Sequence, residues 1–149
     1  MISECAIVKA LLSLLQNRMP YELAAIDTEE DDDTRSLPLE TIADEEERGS
    51  RLPSAIVTIG KAETTEKDRI VRRETFKATV SIRPSGERRA LQCYRYAAAL
   101  SRVISADPTL GGIATASLVT SKDFLFPGYA GREDGYRALI TVTVSMEAA

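Results

Sequence analysis

The chain contains no histidine and no tryptophan, only two cysteines, and few aromatic residues, 5% of the total. Without histidine it lacks the side chain that most often acts as a general base near neutral pH, ligates zinc or completes a catalytic triad. An enzyme would have to work with carboxylate, lysine, tyrosine or cysteine chemistry, so the sequence favours a non-enzymatic role with no metal and no cofactor. Cys5 and Cys93 lie far apart, each in a helical pattern of alanine and aliphatic residues. A free thiol in such surroundings behaves as a small hydrophobe, so two buried thiols are the economical reading and a disulfide is the alternative. Long apolar runs are also missing. The run Ile7, Val8, Ala10, Leu11, Leu12, Leu14 and Leu15 is broken by Lys9 and Ser13 and falls well short of the ~20 residues that span a bilayer. It has no basic start and no small-residue cleavage site, so a cytoplasmic protein without a membrane partner is expected.

What is present is enough for one compact core. With 149 residues, 44% hydrophobic and 28% charged, residues 1–149 are expected to form a single domain. The net charge of -4 conceals an asymmetry, because residues 27–50 carry eleven carboxylates against Arg35 and Arg48. The rest of the chain is mildly basic. Residues 27–50 show no periodicity, and the run Glu29, Glu30, Asp31, Asp32, Asp33 would repel itself if compacted. The segment therefore reads as an exposed acidic loop, in which Leu37, Leu39 and Ile42 around Pro38 could dock as a short extended piece. Its carboxylates lack the alternate spacing and central glycine of a calcium loop.

Hydrophobic spacing supplies the elements. Over residues 3–17, Ile7, Leu11, Leu14 and Leu15 form one stripe, with Ser3 as a candidate N-cap and Pro20 as a stop, followed by a short turn from Tyr21 to Ile26. Residues 54–60 are rich in β-branched side chains and apolar on both faces, as in a central strand. Between Ile70 and Arg83, Phe76, Ala78, Val80 and Ile82 alternate with Thr75, Lys77, Thr79 and Ser81, which predicts a strand with one wet face. The polar stretch Lys61 to Arg69 then reads as the tip of a hairpin. A second helix is predicted from about Glu87 to Ala106, with Leu91, Tyr94, Ala98, Ser101 and Val103 or Ile104 inward, and Arg88, Arg89, Arg95 and Arg102 largely off that stripe, on a solvated or ion-pairing face. It stops at Asp107-Pro108-Thr109-Leu110-Gly111-Gly112, where proline and paired glycines force a turn. Strands from Ile113 to Phe124 and from Tyr136 to Met146 make a second hairpin. The predicted fold is α+β: a mainly antiparallel four-stranded sheet of two hairpins, covered by two amphipathic helices, in the order α-β-β-α-β-β.

No constellation in this sequence carries obvious chemistry. Gly60-Lys61 and Arg83-Pro84-Ser85-Gly86 lack the spacing of a phosphate loop, and Gly111-Gly112 precedes a strand where an anion site would need a helix. Ser121-Lys122 places adjacent side chains on opposite faces of a strand, a poor nucleophile and base.

The segment 53–146 resembles the tail terminator, or tail completion, family of long-tailed phages and prophage elements. The likeness rests on Pro53 with the strand 55–59, the strand 74–82, the helix 94–104, the turn from Asp107 to Gly112, a strand ending near Asp123 and a last strand from Arg137 to Val144. The resemblance implies a non-enzymatic virion protein. It would form a ring, typically of six copies, that caps the head-proximal end of the tail tube, stops its growth and offers a surface for head-tail joining. Implied partners are other copies of itself, the tail tube protein and a neck or connector protein, with DNA only passing through the lumen. Implied locations are the host cytoplasm during assembly and then the virion tail.

The candidate assembly residues are Arg69, Arg72 and Arg73 near the first hairpin and Phe124, Phe126, Pro127 and Tyr129 in the second. The competing reading makes them solvated charges and a loop packed on its own core. Asp31, Asp32, Asp33, Glu45, Glu46 and Glu47 are expected to face the lumen or a ring face, where negative charge would keep DNA from sticking. A neck or head-completion component, or a small α+β ligand-binding module, are the alternative functions.

Overall fold

A computed structural model of the chain describes residues 2–45, 50–66, 72–127 and 135–148. Helix α1 runs from Ser3 to Glu30 and does not stop at Pro20. Proline inside a helix costs about 3 kcal/mol, through one lost hydrogen bond and a clash with the preceding turn. Beyond it, however, Leu23 and Ile26 continue the stripe of Ile7, Leu11, Leu15 and Met19 and are buried with it. At about 1.5–3 kcal/mol per buried aliphatic side chain, the residues around and after the proline outweigh the penalty. The helix therefore takes in residues 27–30, assigned above to the acidic loop, and ends on Asp31 in the left-handed conformation (φ 49°). Ser3 is not the N-cap; Ile2 is, without a side-chain cap bond.

Among the described residues five strands follow, not four. They are β1 (Thr41–Ala43), β2 (Ser54–Glu66), β3 (Arg72–Arg83), β4 (Ala116–Leu125) and β5 (Arg137–Ala148), with helix α2 (Arg89–Ala106) between β3 and β4. The order is α-β-β-β-α-β-β, and the single sheet is ordered β1-β2-β3-β5-β4. It is mixed, because β1 lies parallel to β2 while all other pairs are antiparallel. The added strand is β1, which takes in Ile42 and docks on the sheet edge, with the Glu40 and Thr41 amides both donating to the Pro53 carbonyl. Both expected hairpins form, β2 with β3 and β4 with β5. The first is longer than its periodicity implied. Residues 61–66, read above as its polar tip, remain paired with 72–77 after a bulge near Gly60.

One face of the sheet is dry. Ala55 and Val57 of β2, Phe76, Ala78, Val80 and Ile82 of β3, and Ala138, Ile140, Val142 and Val144 of β5 point into the core beneath the helices. The other face carries Thr58, Thr79 and Thr141 in register across β2, β3 and β5, with Thr75 beside Ser145 and Thr143 beside Lys77, the polar half of the same alternation.

Helix α2 is helical where expected but turned about its axis. Cys93, Tyr96, Ala97, Leu100, Val103 and Ile104 are buried, whereas Tyr94 is 48% exposed and Leu91, Ala98 and Ser101 are only half-buried. Two stripes of similar spacing compete on this helix. Contact with α1 on one side and the sheet on the other favours the wider one, which leads with Tyr96. The turn after α2 is a bonded unit: the Asp107 carboxylate accepts from the Gly111 amide, the Thr109 carbonyl accepts from the Ala114 amide, and Leu110 is buried at positive φ (53°). It delays β4 to Ala116, three residues past the expected start.

Candidate functional site

Three surfaces bring together the residues singled out above. The first is a clamp that the sequence placed in solvent. Asp27, on the last turn of α1, is buried, and so is Arg95 of α2, at 3% exposure. The Arg95 Nη1 donates to Asp27 Oδ1 at 2.8 Å and to the Thr34 carbonyl at 3.0 Å, while Nη2 donates to Asp32 Oδ2. The Ser36 amide and hydroxyl donate to the two Asp27 oxygens at 2.8 and 2.7 Å. One residue further along α2, the Tyr96 hydroxyl donates to the Leu37 carbonyl at 2.6 Å. Arg88 reaches Thr34 Oγ1 at 2.8 Å. Together these bonds fold residues 32–37 back over α2 as a strap.

Burial alone would raise the Asp27 carboxyl. The Ser36 amide and hydroxyl and the Arg95 guanidinium outweigh it and hold the group below the usual carboxylate range. Arg95 Nε has no partner, so the guanidinium is satisfied only along its outer edge. Farther along α2, Arg102 meets Glu29 with two bonds of 2.9 and 2.6 Å, but both side chains stand in solvent.

The acidic residues assigned to a lumen or ring face thus divide. Asp31 and Asp33 are exposed, as is Glu45 just after β1, whereas Asp32 is part-buried against Arg95. Glu46 and Glu47 lie outside the described residues. Sequence reasoning missed Arg95 because the charge argument kept all four arginines of the predicted second helix largely on a wet face. The available signal was its position one residue from the Cys93–Tyr96–Leu100 stripe.

The second surface is aromatic. Phe124 and Phe126 are half-buried, and each meets Tyr94 edge-on, with ring centroids 4.9 and 5.9 Å apart, respectively. Phe126 also packs on Tyr136 at 5.3 Å. These rings cover one another beside α2, with Pro127 exposed next to them. Tyr129 lies outside the described residues. The exposure of Tyr94 follows from this arrangement: rotated off the core, its ring roofs Phe124 and Phe126, where edge-to-face geometry is favourable.

The third surface is the far end of the β2–β3 hairpin. Arg72 and Arg73 open β3 and are exposed; Arg73 Nη2 pairs with Glu147 Oε1 of β5 at 2.6 Å. Arg69 lies outside the described residues. The structure therefore separates the arginine group, at the start of the central strand β3, from the aromatic group, at the opposite end of the sheet on edge strand β4.

For nucleophilic chemistry the arrangement offers little. Cys93 is buried, and burial pushes its thiol up to about 11, which suppresses the thiolate at neutral pH. Burial likewise raises the Tyr96 phenol. Cys5, expected to be buried, is exposed on α1, and both cysteines are free thiols. Ser121 faces Thr141 and Lys122 faces Ile140 across β5, on opposite faces of the sheet. Among the described residues no group of three or more cysteine, aspartate or glutamate side chains is placed to hold a metal, and no helix is long and apolar enough to cross a membrane. Comparison with known proteins finds no family model that matches the chain and no curated sequence that matches it.

Proposed function

We propose that this protein is the ring-forming terminator of a phage tail, capping the head-proximal end of the tail tube and offering a surface to the neck. The observation that carries the reading is the order of elements over 53–146, with the Asp107–Gly112 turn folded as a bonded unit between α2 and β4 and the two flanking hairpins in one sheet. This is the segment on which the resemblance to the family rests. The distribution of chemistry supports it, because the distinctive residues lie on surfaces: a half-exposed aromatic cluster around Tyr94 and Phe126, and an acidic shoulder of Glu30, Asp31 and Asp33 at the end of α1. A subunit in a rotational ring needs two different lateral patches and two ring faces, and this molecule has distinct patches to fill those positions.

The acidic shoulder would face passing DNA, where like charge disfavours adhesion. Tails assembled without this protein provide the test. Micrographs are expected to show tubes of uncontrolled length that fail to join filled capsids. Tails of normal length joined to capsids would overturn the reading.

A further inference from the structure

The sheet leaves two backbone edges open, and they match one another. β1 covers β2 only at Ser54–Ile56. Glu4, Cys5, Val8, Asp44 and Glu45 then line the space beside Val57–Ile59. From Gly60 to Glu66 the β2 edge has no strand neighbour among the described residues, and all seven residues are exposed. At the opposite edge, among the described residues, β4 pairs only with β5, and Leu118 on it is 64% exposed. An open edge is a template for another strand, and its amides and carbonyls are either solvated or paired.

We infer that these two edges pair between copies of this chain, β4 of one protomer against residues 60–66 of β2 in the next. The inference rests on the ring reading above and specifies its lateral contact. Direction is the first argument. Each step from β2 through β3 and β5 to β4 reverses the strand, so β4 runs opposite to β2. A neighbour brought up by rotation in the same orientation therefore meets β2 antiparallel, the more favourable pairing. Because the two edges differ, the contact is head-to-tail and repeats until it closes.

Charge is the second argument. Lys61 faces Lys77 across the β2–β3 pair, a like-charge juxtaposition eased within the chain by Glu63 at 2.8 Å. Lys61 lies on the helix-free face. Laying residues 60–66 antiparallel to 118–124 brings Asp123 opposite Lys61, and Asp123, which faces Leu139, is on that same side. The incoming carboxylate thus meets two lysines.

Cysteine pairing tests this directly. In a Cys5→Ser background, Lys61→Cys and Asp123→Cys are combined and oxidised mildly. Within one copy these positions are three strand spacings apart laterally, about 14 Å, and four residues apart along the strands, so they lie farther apart still. A disulfide needs Cα atoms about 4.4–6.8 Å apart, so any bond must join two copies. The double variant is expected to give a ladder of linked species on a non-reducing gel, ending in a closed ring, while each single variant gives dimers at most. Native mass of the unaltered protein, alone and with tail-tube protein, is measured in parallel. Rings in the unaltered protein with no ladder in the double variant would overturn the edge pairing and leave the ring reading standing. A monomer in every condition would overturn both.

Discussion

Two arginines of α2, seven positions apart, each reach a carboxylate on α1, and they are not equivalent. Arg102 and Glu29 form a bidentate pair in solvent, where water screens the charges and would solvate either partner left alone. Arg95 sits dry between Asp27 and Asp32 and also holds the Thr34 carbonyl. Good geometry is common to both. The surroundings decide which one the fold depends on, because removing one partner of a buried pair strands a charge that water cannot reach.

Arg95→Ala is expected to have the largest effect, a loss of about 3–5 kcal/mol in urea unfolding, since Asp27 then keeps only Ser36 and the strap loses its central bond. Acid should reproduce this from the other side. The Asp27 carboxyl is depressed in the folded protein, so its contribution is complete above the ordinary aspartate value of about 4 and disappears as pH falls through the lower, folded value. Asp27→Asn should therefore unfold at lower urea than the unaltered protein at pH 7, and the two midpoints should converge near the acid limit. A constant gap across that window would show that the carboxylate charge contributes nothing. Tyr96→Phe removes the bond to the Leu37 carbonyl and should cost about 1 kcal/mol, with faster amide exchange in residues 34–37. Smallest of all, Arg102→Ala should leave the urea midpoint unchanged. A shift as large as that of Arg95→Ala would erase the distinction between the dry and wet pairs.

The same contrast explains what was legible in the sequence. Strict alternation over residues 75–83 and 138–144 gave the central strands, their inward faces and the hairpin pairings correctly, because period-two burial in a half-covered sheet depends on little beyond the strand itself. The Asp107–Gly112 turn was equally plain, since proline and glycine act through local sterics. The helices were less so. Pro20 has a strong local meaning, and the burial of Met19, Leu23 and Ile26 overrode it. On α2, spacing put Tyr94 inward, but the aromatic cover available from Phe124 and Phe126 drew it outward and Tyr96 took the core position.

The candidate assembly residues were read only as members of a loop and a hairpin end. Their segregation into an aromatic group beside α2 and an arginine group at the far end of β3 comes from the strand register, which sets Phe124 level with Ala138 and Ile82 but Arg72 level with Ala148, at the other end of the same strands.

By itself, the sequence determined two helices, two antiparallel hairpins, a dry and a wet sheet face, and a chain without histidine chemistry, all consequences of local sterics and periodic burial. Tertiary structure alone decided the third-dimensional questions: that β1 docks parallel to β2, that α1 passes through its proline, and that Asp27 and Asp32 of the acidic segment turn inward. The last of these depends on Arg95. A carboxylate enters a protein interior only where a cation and hydrogen-bond donors await it, and those partners come from residues 34–36 and from a helix some sixty positions further along the chain.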